Sequence, residues 1–326
     1  MNEEIKPRII ISKCIEFDNC RYNGQIITSN EVKEFKDFIE FIPICPEVEI
    51  GLGIPRDPIR VVYKNNQYNL LQPKTGKNVT KEMIDFSHNF LENHDDIDGL
   101  ILKNRSPSCG LKEVKVYPGS ENVAPIANRA GFFGQKVLDK YPYLAIEDEG
   151  RLRNPTIREH FLRKIFIFAK FREVKKQKSI SSLIQFHTEN KFLLMTYNQS
   201  KLKQLGRIVA LAKKSPISNV LSNYESLLHQ AFNRSPRCTS NINILLHSFG
   251  YISNDLSNGE KTFFLNEIER YRQAKTSLAS IISILKSWII RFNEPYLKQQ
   301  SFFSPYPEQL VHAENIDSCK NRDYWQ

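Results

Sequence analysis

Short apolar runs alternate with amphipathic stretches through the first half of the chain. RIIIS (residues 8–12), FIPIC (41–45), IRVVY (59–63) and GLILK (99–103) have the length and the branched or aromatic content of buried strands. Val114–Tyr117 is a fifth strand candidate. Between them, Ser29–Phe38, Thr80–His94 and Gly131–Lys140 place apolar residues at three- and four-residue steps and predict helices. Strand–helix alternation predicts an α/β domain with an open, mostly parallel, Rossmann-like sheet. GLGIPRDP, residues 51–58, is dense in turn formers and reads as a loop.

The pattern changes near Glu147–Arg153. From Asn154 onward the period is helical. Asn154 is suited to cap, Pro155 fits the first helical position, and Thr156 with Glu159 has capping-box spacing. IREHFLRKIFIFAKF follows with helical periodicity, and Ser257 with Glu260 opens a second clear helix. Further helices are expected at Asn198–Lys213, Val220–Phe232, Ser240–Gly250 and Leu278–Phe292. The chain therefore divides into an α/β domain, residues 1–150, and an all-α domain, residues 151–326. The tail after Pro307 is expected to be poorly ordered.

Charge separates the same two halves. Residues 1–150 hold 19 Lys and Arg against 23 Asp and Glu, a net of −4, and residues 151–326 hold 27 against 13, a net of +14. A strongly basic helical domain points to a polyanionic partner, most simply nucleic acid. Lys175, Lys176, Lys178, Lys213, Lys214, Arg234 and Arg237 are the candidate phosphate contacts. No uncharged apolar run reaches the ~18 residues of a membrane span. SLASIISILKSWII is interrupted by Lys286 and reads as a buried helix. The opening MNEEIKPRII is acidic and lacks the cationic and apolar regions of a secretory signal. A cytoplasmic protein with reduced thiols and no membrane partner is expected.

The candidate chemistry lies in the α/β domain. Cys14, Cys45 and Cys109 each follow a predicted strand. In an open α/β sheet the loops after parallel strands converge on one edge, where such folds bind ligands. Three thiols gathered there are a candidate metal or iron–sulfur site, and Cys20 is close enough in sequence to join them. Buried cysteines acting as small apolar residues are the alternative. Glu47, two residues past Cys45, is a candidate general acid or base, which burial beside thiolates would push towards its protonated form. Ser106 and Ser108 flank Cys109 in a turn-rich loop suited to hold a base edge or a water. Arg56, in the GLGIPRDP loop, and Ser108 are candidate substrate contacts. The chain has no HExxH, GxxxxGK[ST] or GxGxxG pattern, so zinc hydrolase, ATP and dinucleotide chemistry lack motif support.

SKCIEFDNCRYNG, FIPICPEVEIGLGIPR and LKNRSPSCG, in this order, resemble the bacterial thiouracil desulfidase family. NPTIREHFLRKIF, FHTENKFLLM, LGRIVA, the Gly250–Tyr251 pair and the YPEQL ending resemble a helical bacterial domain often fused to it. The combination is similar to tRNA 4-thiouridine desulfidases. The resemblance implies a [4Fe–4S] cluster held by Cys14, Cys45 and Cys109, with Cys20 nearby. It implies a cluster acting as a Lewis acid, Glu47 as proton shuttle, Ser106 as the group orienting water or base, and tRNA as partner of the basic domain. One departure is Phe17, where family members often carry glycine three residues after the first cysteine. Competing readings are a desulfidase acting on free thiobases such as 4-thiouracil, a zinc-stabilised RNA-binding protein using Cys14, Cys20, Cys45 and Cys109, and a metal-free interaction module.

Overall fold

The computed structural model describes residues 5–119 and 123–311. It separates into two compact units, residues 1–169 and 170–326. The first unit takes in the expected α/β domain and also the first part of the long helix that follows it.

Strands of the first unit are β1 (Arg8–Ser12), β2 (Glu40–Ile44), β3 (Arg60–Lys64), β4 (Gln67–Gln72), β5 (Lys77–Asn78), β6 (Gly99–Leu102), β7 (Val114–Tyr117), β8 (Ala127–Arg129) and β9 (Ala145–Asp148). Its helices are α1 (Asn30–Phe35), α2 (Pro46–Glu49), α3 (Thr80–Glu92) and α4 (Phe132–Lys140), with α5 (Pro155–Gln177) leading into the second unit. One sheet has the order β2-β1-β6-β9 and is parallel throughout. β1 is central, and Ile9, Ile10 and Ile11 are inaccessible to solvent. This explains its unbroken apolar run: a strand covered on both faces has no polar side to alternate with.

The second sheet was not read from the sequence. It has the order β5-β4-β3-β7-β8, with β3 and β7 parallel and the remaining pairs antiparallel. β3 and β4 form a hairpin whose turn residues Asn65 and Asn66 both have left-handed backbone, φ 52° and 60°. A two-residue turn of this kind favours asparagine, so Asn65–Asn66 was a usable hairpin signal. β4 itself reads QYNLLQ, too polar to announce a strand.

Helices make up the second unit after α5. They are α6 (Ile180–Glu189), α7 (Lys191–Tyr197), α8 (Gln199–Ala210), α9 (Ile217–Ala231), α10 (Cys238–Ile252), α11 (Asn258–Arg272), α12 (Leu278–Arg291) and α13 (Pro295–Lys298). Asn154 does cap α5, its Oδ1 accepting from the N–H groups of Thr156 at 3.0 Å and Ile157 at 3.2 Å. The Thr156–Glu159 box is not formed, because the cap lies two residues earlier and Glu159 instead pairs with Arg163. Ser257 and Glu260 make a complete capping box at the start of α11. Within the unit, Phe171, Phe186 and Tyr224 form a buried ring cluster with centroids 5.2 to 6.0 Å apart. α12 is amphipathic rather than buried all round: Ile281, Leu285, Trp288 and Ile289 face the core, while Ile290 is 70% exposed. No described helix is long and apolar enough to cross a membrane. The expectation for the tail falls largely on residues 312–326, outside the described residues.

α5 carries two cationic groups in the first unit that burial disfavours in their charged forms. His160 is held down at about 4, by burial first and then by Lys164 and Arg163. Lys164, whose Nζ donates to the Leu144 carbonyl at 2.9 Å, is held down at about 8 by burial. A histidine with a folded pKa below its unfolded value binds fewer protons folded than unfolded between the two. The stability it contributes is therefore present above about pH 6.5 and is lost as pH falls towards 4. Thermal unfolding of the first unit should lose about 1–3 kcal/mol over that interval from this group. His160→Phe should flatten the pH dependence of the unfolding midpoint between pH 6.5 and 4.5.

Candidate functional site

The strand order β2-β1-β6 sets three carboxyl ends side by side. Cys14 lies two residues past β1, Cys45 immediately past β2 and Cys109 seven residues past β6. With Cys20, these thiols line one cavity of about 300 Å³, together with Glu47, Arg56, Ser106 and Ser108. All four cysteines are buried and unbridged. The expected convergence is thus present, and Cys20 belongs to it. Cys238, on α10, is exposed and is not among the cavity-lining residues. Cys319 lies outside the described residues.

Local chemistry explains each placement. Cys45 is the N-cap of α2, with Pro46 at the first helical position and Glu47 in the first turn, so the Cys-Pro-Glu order is that of a helix start. The loop from Asn104 to Gly110 is folded around Ser106, whose Oγ accepts from the N–H groups of Ser108 at 3.3 Å and Cys109 at 3.2 Å. Helix α4 fixes this loop from outside. The N–H of Gly131 donates to Gly110 O at 2.8 Å, that of Phe132 to Pro107 O at 3.1 Å and that of Gly134 to Ser108 O at 3.0 Å. A Cβ at Gly131 would stand 2.5 Å from Ser108 O, and one at Gly134 would stand 2.4 Å from Gly110 O. Only glycine lets the helix approach so closely.

Glu47 is not an isolated carboxyl. Its Oε2 accepts from Arg56 Nε at 2.9 Å and lies 2.8 Å from Arg56 Nη2. Its Oε1 accepts from Ser108 Oγ at 2.7 Å, and Ser106 Oγ stands farther off at 3.5 Å. The two hydroxyls lie 2.9 Å apart, giving a short chain Ser106–Ser108–Glu47. Arg56 also donates to Cys20 O at 3.0 Å and to Gly53 O at 2.9 Å. The guanidinium expected to contact substrate instead orients Glu47 and ties together the loops after β1 and β2. The sequence did not announce this pairing, because nine residues of irregular loop separate the two side chains.

The thiols favour their protonated forms. Cys20 is pushed up to about 11, chiefly by its hydrogen bond with Cys14. Cys45 is pushed well above the usual range by its contact with Cys20 and by burial. Cys109 is pushed up to about 12 by burial. Soft donors crowded out of water become thiolate ligands when a cationic iron core replaces their protons. Among the described residues, no three His, Cys, Asp or Glu side chains are gathered tightly enough to enclose a single metal ion. Ligands of a cubane bind different irons and so stand farther apart than those around one tetrahedral zinc. The donor set fits an iron–sulfur cluster better than it fits zinc. Cys14, Cys45 and Cys109 are the residues that would hold it.

The seven candidate phosphate contacts are all exposed. Two are neutralised: Lys175 pairs with Glu225 at 2.8 Å and Lys176 with Glu173 at 2.9 Å. Among the described residues, Lys178, Lys213, Lys214, Arg234 and Arg237 make no ion pair with a carboxylate. Lys213 and Lys214 precede α9 and Arg234 and Arg237 follow it, so two unpaired cations lie at each end of a helix of 15 residues.

Residues 9–149 match the family described as 2-thiouracil desulfurase, and residues 191–307 match a protein family of unknown function, DUF1722. The uncharacterized protein YbbK of Bacillus subtilis (strain 168) is 27% identical over 138 residues, 38% of this chain and 91% of YbbK. The uncharacterized protein YbgA of Escherichia coli (strain K12) is 19% identical over 130 residues, 40% of this chain and 77% of YbgA. Among solved structures, the chain is similar to TudS, a [4Fe-4S]-dependent thiouracil desulfidase, at 25% identity and a TM-score of 0.36, over 45% of this chain and 94% of TudS.

Two outcomes follow from this geometry. Gly134→Ala forces a methyl group into backbone that cannot retreat. It should cost about 1–3 kcal/mol in thermal unfolding of the first unit. Arg56→Met leaves the Glu47 carboxylate buried without its partner and should cost about 3–5 kcal/mol in chemical denaturation. Adding Glu47→Leu to that variant should recover a large part of the loss, since the penalty lies in the orphaned charge.

Proposed function

We propose that this chain, a 2-thiouracil desulfurase domain over residues 9–149 joined to a DUF1722 domain over residues 191–307, removes sulfur from 4-thiouridine in tRNA. The products are uridine and hydrogen sulfide. The observation that carries the reading is the cavity in which four buried thiols face the Glu47–Ser108–Ser106 chain. A [4Fe–4S] cluster held by Cys14, Cys45 and Cys109 would supply, at its fourth iron, a soft Lewis acid for a thiocarbonyl sulfur.

The chain's own residues supply the rest. The reaction exchanges the C4=S bond for C4=O at the expense of one water, with no net oxidation or reduction. Glu47 Oε1 accepts the proton of the attacking water, by way of the Ser108 hydroxyl already donating to it. Ser106, 2.9 Å from Ser108, orients that water or the base edge. Arg56 holds the carboxylate in one orientation through two guanidinium nitrogens. The proton returns from Glu47 to the departing sulfur, so the carboxylate ends as it began.

The substrate reading rests on charge and reach. The unpaired cations Lys178, Lys213, Lys214, Arg234 and Arg237 suit a phosphate backbone, which positions a nucleic acid without reading its sequence. A cavity of about 300 Å³ has room for a single base, so a thiouridine within folded tRNA must swing out to enter it. Salt should weaken binding steeply, because each phosphate contact releases counterions.

The test is anaerobic. Protein reconstituted with iron and sulfide is mixed with tRNA containing 4-thiouridine, and loss of the thiobase absorbance is followed alongside sulfide release. Cys14→Ala, Cys45→Ala and Cys109→Ala should each abolish turnover and the broad absorbance of the cluster. Glu47→Gln should retain the cluster and lose about 100-fold or more in kcat. Turnover of free 4-thiouracil but not of tRNA would replace the tRNA reading with a free-base enzyme. A colourless protein binding one zinc would overturn both.

A further inference from the structure

Five cations line the cavity: Lys13, Arg21, Arg56, Lys103 and Arg105. Four of them face carboxylates: Lys13 faces Asp18 at 2.8 Å, Arg56 faces Glu47 at 2.8 Å, Lys103 faces Glu149 at 2.5 Å and Arg105 faces Glu113 at 3.0 Å. Among the described residues, Arg21 has no carboxylate partner. Its guanidinium carbon instead lies 5.6 Å from the centre of the Tyr22 ring. Tyr22 lines the same cavity and is 42% exposed, unlike the buried cysteines beside it.

The turn that presents this pair is pinned. Gly24 N–H donates to Arg21 O at 2.9 Å, closing a four-residue turn. Asn23 Nδ2 donates to Gln25 Oε1 at 2.7 Å, and Gln25 N–H donates to Asn23 Oδ1 at 3.3 Å. Arg56 N–H donates to Tyr22 O at 2.8 Å, and the Arg56 side chain grips Glu47. The exposed ring is therefore held at a fixed place relative to the catalytic carboxylate. An apolar ring kept partly in water on a preorganised turn has little to offer stability, but it gives a base a stacking surface at small entropic cost.

We propose that Arg21 and Tyr22 form a nucleotide-reading rim of the cavity: the Tyr22 ring stacks on a base of the RNA strand, and Arg21 contacts its phosphate. This rests on the reading of the cavity as a desulfidase site for thiolated RNA, and it goes further by naming what distinguishes a polynucleotide from a free base there. A free thiobase has no phosphate for Arg21 and no neighbouring base for Tyr22. A strand has both.

The experiment compares wild type with Tyr22→Ala, Tyr22→Trp and Arg21→Gln. The probes are a short RNA with 2-aminopurine next to 4-thiouridine, and the free 4-thiouridine nucleoside. With the RNA, wild type should change the 2-aminopurine fluorescence on binding, a readout that needs no turnover. Tyr22→Ala should lose that change and lower the ratio of kcat/KM for RNA to that for the nucleoside about tenfold, mainly through KM. Tyr22→Trp should restore both. Arg21→Gln should reduce the slope of log affinity against log salt by about one. Equal losses on RNA and nucleoside, or Tyr22→Ala indistinguishable from a wild type active on RNA, would overturn the rim while leaving the desulfidase reading in place. Wild type that neither binds nor desulfurates the RNA would overturn both.

Discussion

The cysteine loop after β6 is held in place by a helix to which it does not belong. Three amide groups at the start of α4 donate to carbonyls of Pro107, Ser108 and Gly110. Those amides have no partner within their own helix, and those carbonyls have none within their own loop. The contact satisfies both sets at once, and it closes only because residues 131 and 134 lack side chains. Much of the site follows from it. Ser106 and Ser108 face Glu47, and Cys109 faces the thiols across the sheet edge, because the backbone between them has one permitted path.

A buried ion pair beside four thiols is an expensive arrangement unless each partner is otherwise satisfied. Here both are. The Arg56 guanidinium meets Glu47, Cys20 O and Gly53 O, and Glu47 meets Arg56 and Ser108. The pair links the loop carrying Cys20 to the helix start carrying Cys45, so a charge that contributes little to stability gives the cavity a fixed shape. The same network ties Tyr22 to Glu47 through consecutive groups of a single arginine. Position, more than attraction, is what this pair provides.

Much of this was legible in the sequence, for definite reasons. The parallel sheet was readable because β1, β2 and β6 are buried on both faces and carry unbroken apolar runs. The convergence of Cys14, Cys45 and Cys109 then followed from topology, since parallel strands put their carboxyl ends on one edge. The second sheet was obscured because β4 is largely polar and because β5 and β8 span only 2 and 3 residues. The roles within the cavity were harder. Spacing could place Ser106 and Ser108 in one loop, but it could not say that Ser108 closes on Glu47 while Ser106 serves the backbone. Nor could it say that Arg56 turns inward. Both outcomes depend on where irregular loops return, which local pattern does not encode.

Net charge is a similarly incomplete guide. The basic half carries a net of +14, yet Lys175 and Lys176 are answered by carboxylates three and fifty residues away. The field that a polyanion meets comes from the cations left without partners, at the two ends of α9. The cavity presents the same distinction on a smaller scale, where four cations are matched and Arg21 is not. Counterion release depends on charges free to meet phosphate, so the unmatched cations set the electrostatic character of each surface, and composition alone overstates their number.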